Sequence, residues 1–341
     1  MTRRLLAVLV PFAILAAACG SDSDDSTDSA VVTDAPDDSA AADDSSTESP
    51  AAAFPVTVET IFGDVTIEEE PVRVVALGWA DAETALSLGV EPVGATDWIA
   101  FGGDGTGPWA PPYTTSPEIL PTTPNYEAIA ALEPDLILNT RADGDEEVHA
   151  LLSEIAPVVA IPAGDPAWGT PWDHQVEIVA AALGKSAEGE ALIESVNTAF
   201  ADAAASNPEF DGKSVSVAAF FSGQWGAYVS KDLRVQFMEQ LGFVNSEAIE
   251  ALDTGSFYVE LSPEQLDLLD ADLTVAFPFA MDDVATIEAD QLFNAVPSVA
   301  AGNAVVLDDP DLTAAFSDGS ASALLFAIER AVPLFAAAVA Q

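Results

Sequence analysis

The chain has 341 residues, half of them hydrophobic, which is enough to bury two cores of ordinary domain size. Its formal net charge is −48, with nine Lys and Arg in all, and such a surface excludes nucleic acid and anionic lipid headgroups as partners. One cysteine, Cys19, leaves no intramolecular disulfide and no thiolate metal cluster. A long-range negative field attracts cations and repels polyanions, although a saline habitat accounts for the same acidity.

Met1 to Cys19 (MTRRLLAVLVPFAILAAAC) carries two arginines, an apolar run of signal-peptide length and small residues before the cysteine. The run is short for a membrane span. It resembles a bacterial lipoprotein signal, in which Cys19 becomes the lipidated first residue, with Ala16 where that motif usually has leucine. A plain secretory signal is the alternative, and export follows either way. Residues 20–53 are Ser, Asp, Ala and Thr with little to bury, which predicts a disordered, self-repelling tether.

Folded sequence begins near Phe54. Val56, Val58, Val65 and Ile67 alternate around Gly63-Asp64 and predict a hairpin. The apolar run 72–77, a helix from Ala80 to Leu88 and a short strand at 91–96 form a βαβ unit, hence a parallel sheet. Gly78-Trp79 and Asp97-Trp98 fall at strand carboxyl ends, where open α/β sheets bind ligands. Residues 99–123 are irregular and rich in Gly, Pro and aromatics, and Trp109 and Tyr113 are binding candidates there. The spacing Gly103-x-Gly105-x-Gly107 opens no helix and is not a dinucleotide fingerprint. A helix and strand over 125–139 end at Thr140-Arg141, a helix spans Asp145 to Ile155, and 157–162 is a strand. The first lobe closes with Trp168, Trp172 and a helix from Asp173 to Leu183.

Ser186 to Ala205 reads as one long helix, with Ser186 as N-cap, acidic residues in the first turn, and a stop at Asn207-Pro208. Leu192, Val196, Ala199, Phe200 and Ala203 line one face. Beyond it, 213–221 is a buried strand running into SGQWGAY (222–228), Leu233 to Leu241 is a helix, and 262–277 is helix then strand. Val305 to Leu307 is a further strand and Leu324 to Ala340 the terminal helix.

An internal repeat frames the long helix. Laying NYEAIAALEPDLIL (125–138) over SPEQLDLLDADLTV (262–275) matches Glu127 with Glu264, Ile129 with Leu266, Asp135 with Asp272 and Leu136 with Leu273. A duplicated α/β lobe on each side of one helix implies a cleft between the lobes.

The set RVVALGWADAETALSLGVEPVG, NYEAIAALEPDLIL, IAPVV, RVQFMEQLGF, LSPEQLDLLDADL and AVPSVAAGNAVVL resembles the periplasmic-binding-protein family for ferric siderophores and cobalamin, over roughly residues 56–341. The resemblance implies two Rossmann-like α/β lobes joined by a single long backbone helix, with an N-terminal lobe over 54–185, the linking helix over 186–206 and a C-terminal lobe over 207–341. It implies the substrate-binding component of an ABC importer that hands an iron chelate to a permease with its ATPase. Such proteins are lipoproteins in Gram-positive bacteria, which suits Cys19, an outer-face location and attachment to the membrane through lipid alone. The family's permease-docking glutamates fall on Glu127 and Glu264. Two carboxylates on a rigid frame make a fixed-distance docking face; dipole stabilisation of a helix start is the alternative role.

A ferric siderophore needs aromatic walls and a few donors aimed at chelating oxygens. The candidates at strand ends are Trp79, Trp98 and Arg141 from the first lobe, with Phe221, Trp225, Tyr228 and Phe279 from the second. For Arg141, an ion pair with Asp143 or Asp145 is the alternative. His149 and His174 are too few for bare Zn or Mn capture, and no nucleophile elbow or Ser–His pairing points to an enzyme. No resident cofactor or metal is expected, and a monomer is. The acid surface and the scarcity of cations favour a neutral or cationic hydroxamate chelate. Haem or cobalamin binding is the runner-up within the family, and an exported α/β hydrolase the one outside it.

Overall fold

Short apolar runs bounded by turn residues become strands in the computed structural model, which describes residues 54–279 and 284–340. Cys19 and the segment 20–53 lie outside the described residues. A hairpin comes first, β1 (Val56–Thr60) with β2 (Gly63–Ile67). Its turn is Ile61-Phe62 rather than Gly63-Asp64, and the Thr60 hydroxyl closes it on the Gly63 carbonyl at 2.8 Å.

The first lobe continues through β3 (Val74–Ala76), α1 (Asp81–Ser87), β4 (Gly94–Thr96), β5 (Glu118–Leu120), α2 (Tyr126–Ala131), β6 (Leu136–Leu138), α3 (Glu146–Ser153) and β7 (Val158–Val159). These five strands form a wholly parallel sheet in the order β5-β4-β3-β6-β7. β3, β4, β6 and β7 are buried along their length, as a sheet covered on both faces requires.

The chain then crosses once to the second sheet, along α4 (Trp172–Ala182) and α5 (Ser186–Ser206). α5 is an unbroken 21-residue helix whose buried positions are Gly189, Val196 and Phe200, with Leu192, Ile193, Ala199 and Ala203 half-buried on the same side. Ser186 is its first helical residue, not its cap; Lys185 occupies that place without a side-chain bond.

The second lobe holds β8 (Ser214–Phe221), β9 (Gln224–Tyr228), α6 (Leu233–Gln240), β10 (Val244–Asn245), α7 (Glu247–Glu250), β11 (Tyr258–Leu261), β12 (Leu273–Pro278), α8 (Val284–Ala289), α9 (Pro297–Ala301), β13 (Ala304–Val306), α10 (Pro310–Asp318) and α11 (Ala321–Val339). Its sheet runs β11-β9-β8-β12-β13, with β10 beside β8. The segment 222–228 is the turn and return strand of an antiparallel hairpin. α5 does not stand as a lone rod: α11 packs along it and also touches α4 and α1, so four helices form one layer between the sheets.

The repeat survives in the hydrogen bonds. Asp135 accepts from the Val72 and Arg73 amides at 2.9 Å each, tying β6 to the approach to β3. Its counterpart Asp272 accepts from the Ser214 amide at 2.8 Å, tying β12 to β8 in the same way. The helical turn before each strand is capped by its own side chain, Asn125 in one copy and Ser262 with Gln265 in the other; the second copy is a 3-10 helix, Pro263–Leu269.

Candidate functional site

A cavity of about 560 Å³ opens where the carboxyl ends of the two sheets face each other. The first-lobe wall is Trp79 after β3, Trp98 after β4, Arg141 after β6 and the loop 166–172. The second-lobe wall is Tyr228 at the end of β9, Lys231 to Arg234, Gln236, Phe257 and Phe279.

Asp81 builds the first wall. It is fully buried; its Oδ2 accepts from the Gly78 amide at 2.8 Å and the Thr140 amide at 3.1 Å, and its Oδ1 accepts from Gln175 at 2.9 Å and from the Thr140 hydroxyl. Burial raises its pKa while these bonds pull it back. One side chain thereby fastens the β3–α1 turn, the end of β6 and α4 together. Gly78 is obligatory in that turn, because a Cβ there would sit 2.4 Å from the Asp81 carboxylate and 2.9 Å from the Thr140 amide. The Trp79 amide bonds to the Arg141 carbonyl at 2.9 Å, so the two residues are presented side by side.

Four tryptophans line this wall, Trp79, Trp98, Trp168 and Trp172. Trp79 and Trp98 stack with centroids 5.9 Å apart, and Trp168 meets Trp98 edge-on at 5.2 Å. Arg141 is buried and makes no ion pair with Asp143 or Asp145. Its guanidinium donates instead to the Thr170 carbonyl at 3.2 Å and the Asp318 carbonyl at 3.1 Å. Burial lowers its pKa against the pull of Asp318, Asp81 and Glu83. The Trp79 indole N–H reaches the same Asp318 carbonyl at 3.1 Å. Asp318 ends α10, so both bonds run from one lobe to the other.

On the second wall, Arg234 is clamped in its first helical turn. Its guanidinium meets Asp232 in a two-point pair at 2.8 and 2.7 Å and lies 4.0 Å above the Tyr228 ring. Asp232 also caps α6, accepting from the Arg234 amide at 2.9 Å. Lys231 pairs with Asp253 at 2.6 Å. Arg3 and Arg4 precede the described residues, so three of the remaining seven cations line this cavity. Each is already matched by a carboxylate or by backbone carbonyls.

Of the residues expected at the site, Trp79, Trp98, Arg141, Tyr228 and Phe279 line the cavity. Trp225 does not: β9 pairs it with Phe220, and that register turns both to the far face of the sheet. There its ring stacks on Phe293 at 4.7 Å and its N–H bonds to Asp290 at 2.9 Å. Trp109 is spent on packing against Phe101 and Phe326, at 5.3 and 5.6 Å. Tyr113 does not line the cavity either; its phenol is mostly buried, and burial first, with the negative charge of Glu83, raises its pKa. Phe221 stands outside the cavity mouth, edge-on to Phe279. Glu127 and Glu264 are exposed in equivalent first turns, without a hydrogen bond or ion pair among the described residues. His149 stacks on Phe62 and His174 pairs with Asp165, and the described residues hold no group of three metal ligands. Arg234, Trp168 and Trp172 are cavity residues that sequence reasoning did not select.

Comparison with known proteins places this geometry. Residues 74–310 match the family model described as periplasmic binding protein. The chain is 29% identical over 282 residues to the Probable siderophore-binding lipoprotein YfiY of Bacillus subtilis (strain 168), covering 77% of this chain and 83% of that one. The solved structure of a periplasmic solute binding protein from Mycobacterium smegmatis str. MC2 155 superposes with a TM-score of 0.73 at 28% identity, over 83% of this chain and 98% of that one. PiaA of Streptococcus pneumoniae TIGR4, solved in complex with ferrichrome, superposes with a TM-score of 0.69 over 84% and 99%; at 24% identity it speaks for the fold alone.

Proposed function

Since the chain belongs to the periplasmic binding protein family, we propose that it is the substrate-binding component of an ABC importer and holds a ferric siderophore between its two lobes. The observation that carries this reading is the aromatic-walled cavity of about 560 Å³ at the facing strand ends, a size within the usual range of small-molecule sites. The siderophore-binding name of the B. subtilis relative supports the ligand class. Trp79, Trp98, Tyr228 and Phe279 supply flat apolar walls, and Arg141 and Arg234 supply the donors for chelating oxygens.

The charge balance supports a hydroxamate chelate. With Arg234 matched by Asp232 and Lys231 by Asp253, Arg141 is left among the described residues as the one cavity cation without a carboxylate partner, so the surplus positive charge is small. A trianionic catecholate would displace existing pairs to be bound, whereas a neutral or monocationic hydroxamate leaves them intact. Titration followed by tryptophan fluorescence tests this: ferrioxamine B should quench Trp79 and Trp98 and bind more tightly than a ferric tris-catecholate. The reverse order sinks the hydroxamate reading, and no binding of either sinks the siderophore reading.

In this account Cys19 carries a lipid that holds the protein on the outer face of the membrane. Glu127 and Glu264 dock on cationic permease residues, the protein works as a monomer, and it needs neither a resident cofactor nor catalysis. Replacing both glutamates by alanine should abolish uptake in cells while leaving the affinity for the chelate unchanged.

A further inference from the structure

The two central parallel strands of the second sheet end in phenylalanines. Phe221 closes β8, and Phe279 follows β12 directly. The ladder pairs Pro278 with Phe220, and the Phe279 amide extends it by bonding to the Phe220 carbonyl at 3.1 Å. Period-two alternation then puts Phe221 and Phe279 on the face shared by Ala219 and Phe277. Their rings meet edge-on, 5.6 Å apart. Phe279 enters the cavity lining and Phe221 does not, yet the two are 54% and 55% exposed, and Phe257 on the same lobe is 49% exposed at the cavity wall. An apolar ledge therefore leads out of the cavity without a break. Contiguous exposed apolar surface of this kind marks a binding site.

We infer that this ledge receives an apolar arm of the ligand, so that the bound chelate is amphiphilic, with its metal-binding head in the cavity and an acyl or alkyl chain laid over Phe279 and Phe221. The inference rests on the siderophore reading above. Continuity decides the occupant, because Phe279 belongs to both surfaces and a ligand seated against it exits past Phe221. Charge disfavours the other coverings. A second copy of a chain carrying −48, or an anionic membrane, meets long-range repulsion as it approaches this rim.

The test compares the N-acetyl and N-octanoyl derivatives of ferrioxamine B, both uncharged at the acylated nitrogen, with ferrioxamine B as the parent, on the full-length protein and on Phe221→Ser, by tryptophan fluorescence. The two derivatives share one head and one charge and differ only in the chain. The octanoyl form should bind the unmodified protein roughly tenfold more tightly, the worth of about two methylenes leaving water. Phe221→Ser should erase that gain and keep the ferrioxamine B affinity, since the residue lies outside the cavity. Equal affinities for the two derivatives, or a gain that survives Phe221→Ser, overturns the ledge while leaving the siderophore reading standing. Binding of neither chelate overturns both. Loss of ferrioxamine B uptake in cells with its binding and the octanoyl gain unaffected by Phe221→Ser would assign the ledge to the permease instead. A dimer in solution that Phe221→Ser dissolves would assign it to a second copy.

Discussion

Asp232→Asn isolates the charge that sets what the cavity accepts. The side chains of Asp232 and Arg234 are 4% and 8% exposed, and the carboxylate grips the guanidinium at two points. Removing one member of a buried pair costs about 3–5 kcal/mol. Asparagine softens the loss, because its amide oxygen still caps α6 at the Arg234 amide and still accepts one guanidinium bond. The Tyr228 face, 4.0 Å away, also keeps roughly 1–2 kcal/mol of cation–π attraction. The expected loss is therefore about 2–3 kcal/mol, or about 3–5 °C in Tm at an unfolding entropy of about 2 cal/mol/K per residue. The freed charge acts on the ligand as well. One unit charge about 5 Å away, at an effective dielectric near 20, is worth about 3 kcal/mol per ligand charge. Catecholate affinity should accordingly rise by at least about a hundredfold relative to ferrioxamine B in the variant, the effect of a single ligand charge. Thermal unfolding and paired fluorescence titrations measure the two quantities. A Tm within 2 °C of the parent, together with an unchanged affinity ratio, would refute the claim that this pair holds the cavity near neutrality.

The cavity wall of the first lobe and the far face of the second sheet predict opposite phenotypes. Trp98→Ala should weaken ferrioxamine B binding by about tenfold with a modest stability loss. Trp225→Ala should cost about 3–5 kcal/mol in chemical denaturation and leave affinity intact. Gly189→Val should destabilise by about 1–3 kcal/mol, since a Cβ there would lie 2.5 Å from the Ala180 Cβ and α4 cannot yield without moving. Glu83 and Asp318 are buried acids whose pKa values are raised, chiefly by burial, so the folded state binds more protons than the unfolded one. Stability should thus be greatest below the ordinary carboxylate range and fall as pH rises through their raised pKa values. Glu83→Gln should flatten that fall in Tm measured from pH 4 to 8, and an unchanged slope would exonerate Glu83.

Much of this was legible in the chain because buried parallel strands are short, continuous apolar runs. Val74 to Ala76, Leu136 to Leu138 and Ser214 to Phe221 sit inside the stretches that pattern marks. The face of α5 is equally plain from three- and four-residue steps. β9 was hidden by Gly223 and Gly226, which look like a loop. Gly226 is in fact a strand residue kept small because Tyr258 covers it, with ring atoms 2.0 Å from where a Cβ would stand. Had β9 been read as a strand, parity alone would have separated Trp225 from Tyr228, which lie three residues apart and so on opposite faces. Asp81 and Arg234 could not be found that way. An acid in a helix's first turn, or an Asp-x-Arg at a helix start, has a sufficient local explanation, and their roles appear only when distant turns are brought together. β5 is three residues between prolines, too short for periodicity to register.

Two donors from one lobe, the Trp79 indole and the Arg141 guanidinium, converge on a single oxygen of the other, the Asp318 carbonyl. Swinging the halves apart like a clam would strip both at once and exchange each for a bond to incoming water, at a net cost of about 0.5–1.5 kcal/mol for each donor. The resting molecule is accordingly held shut by a two-pronged latch, which opposes a wide parting of the jaws.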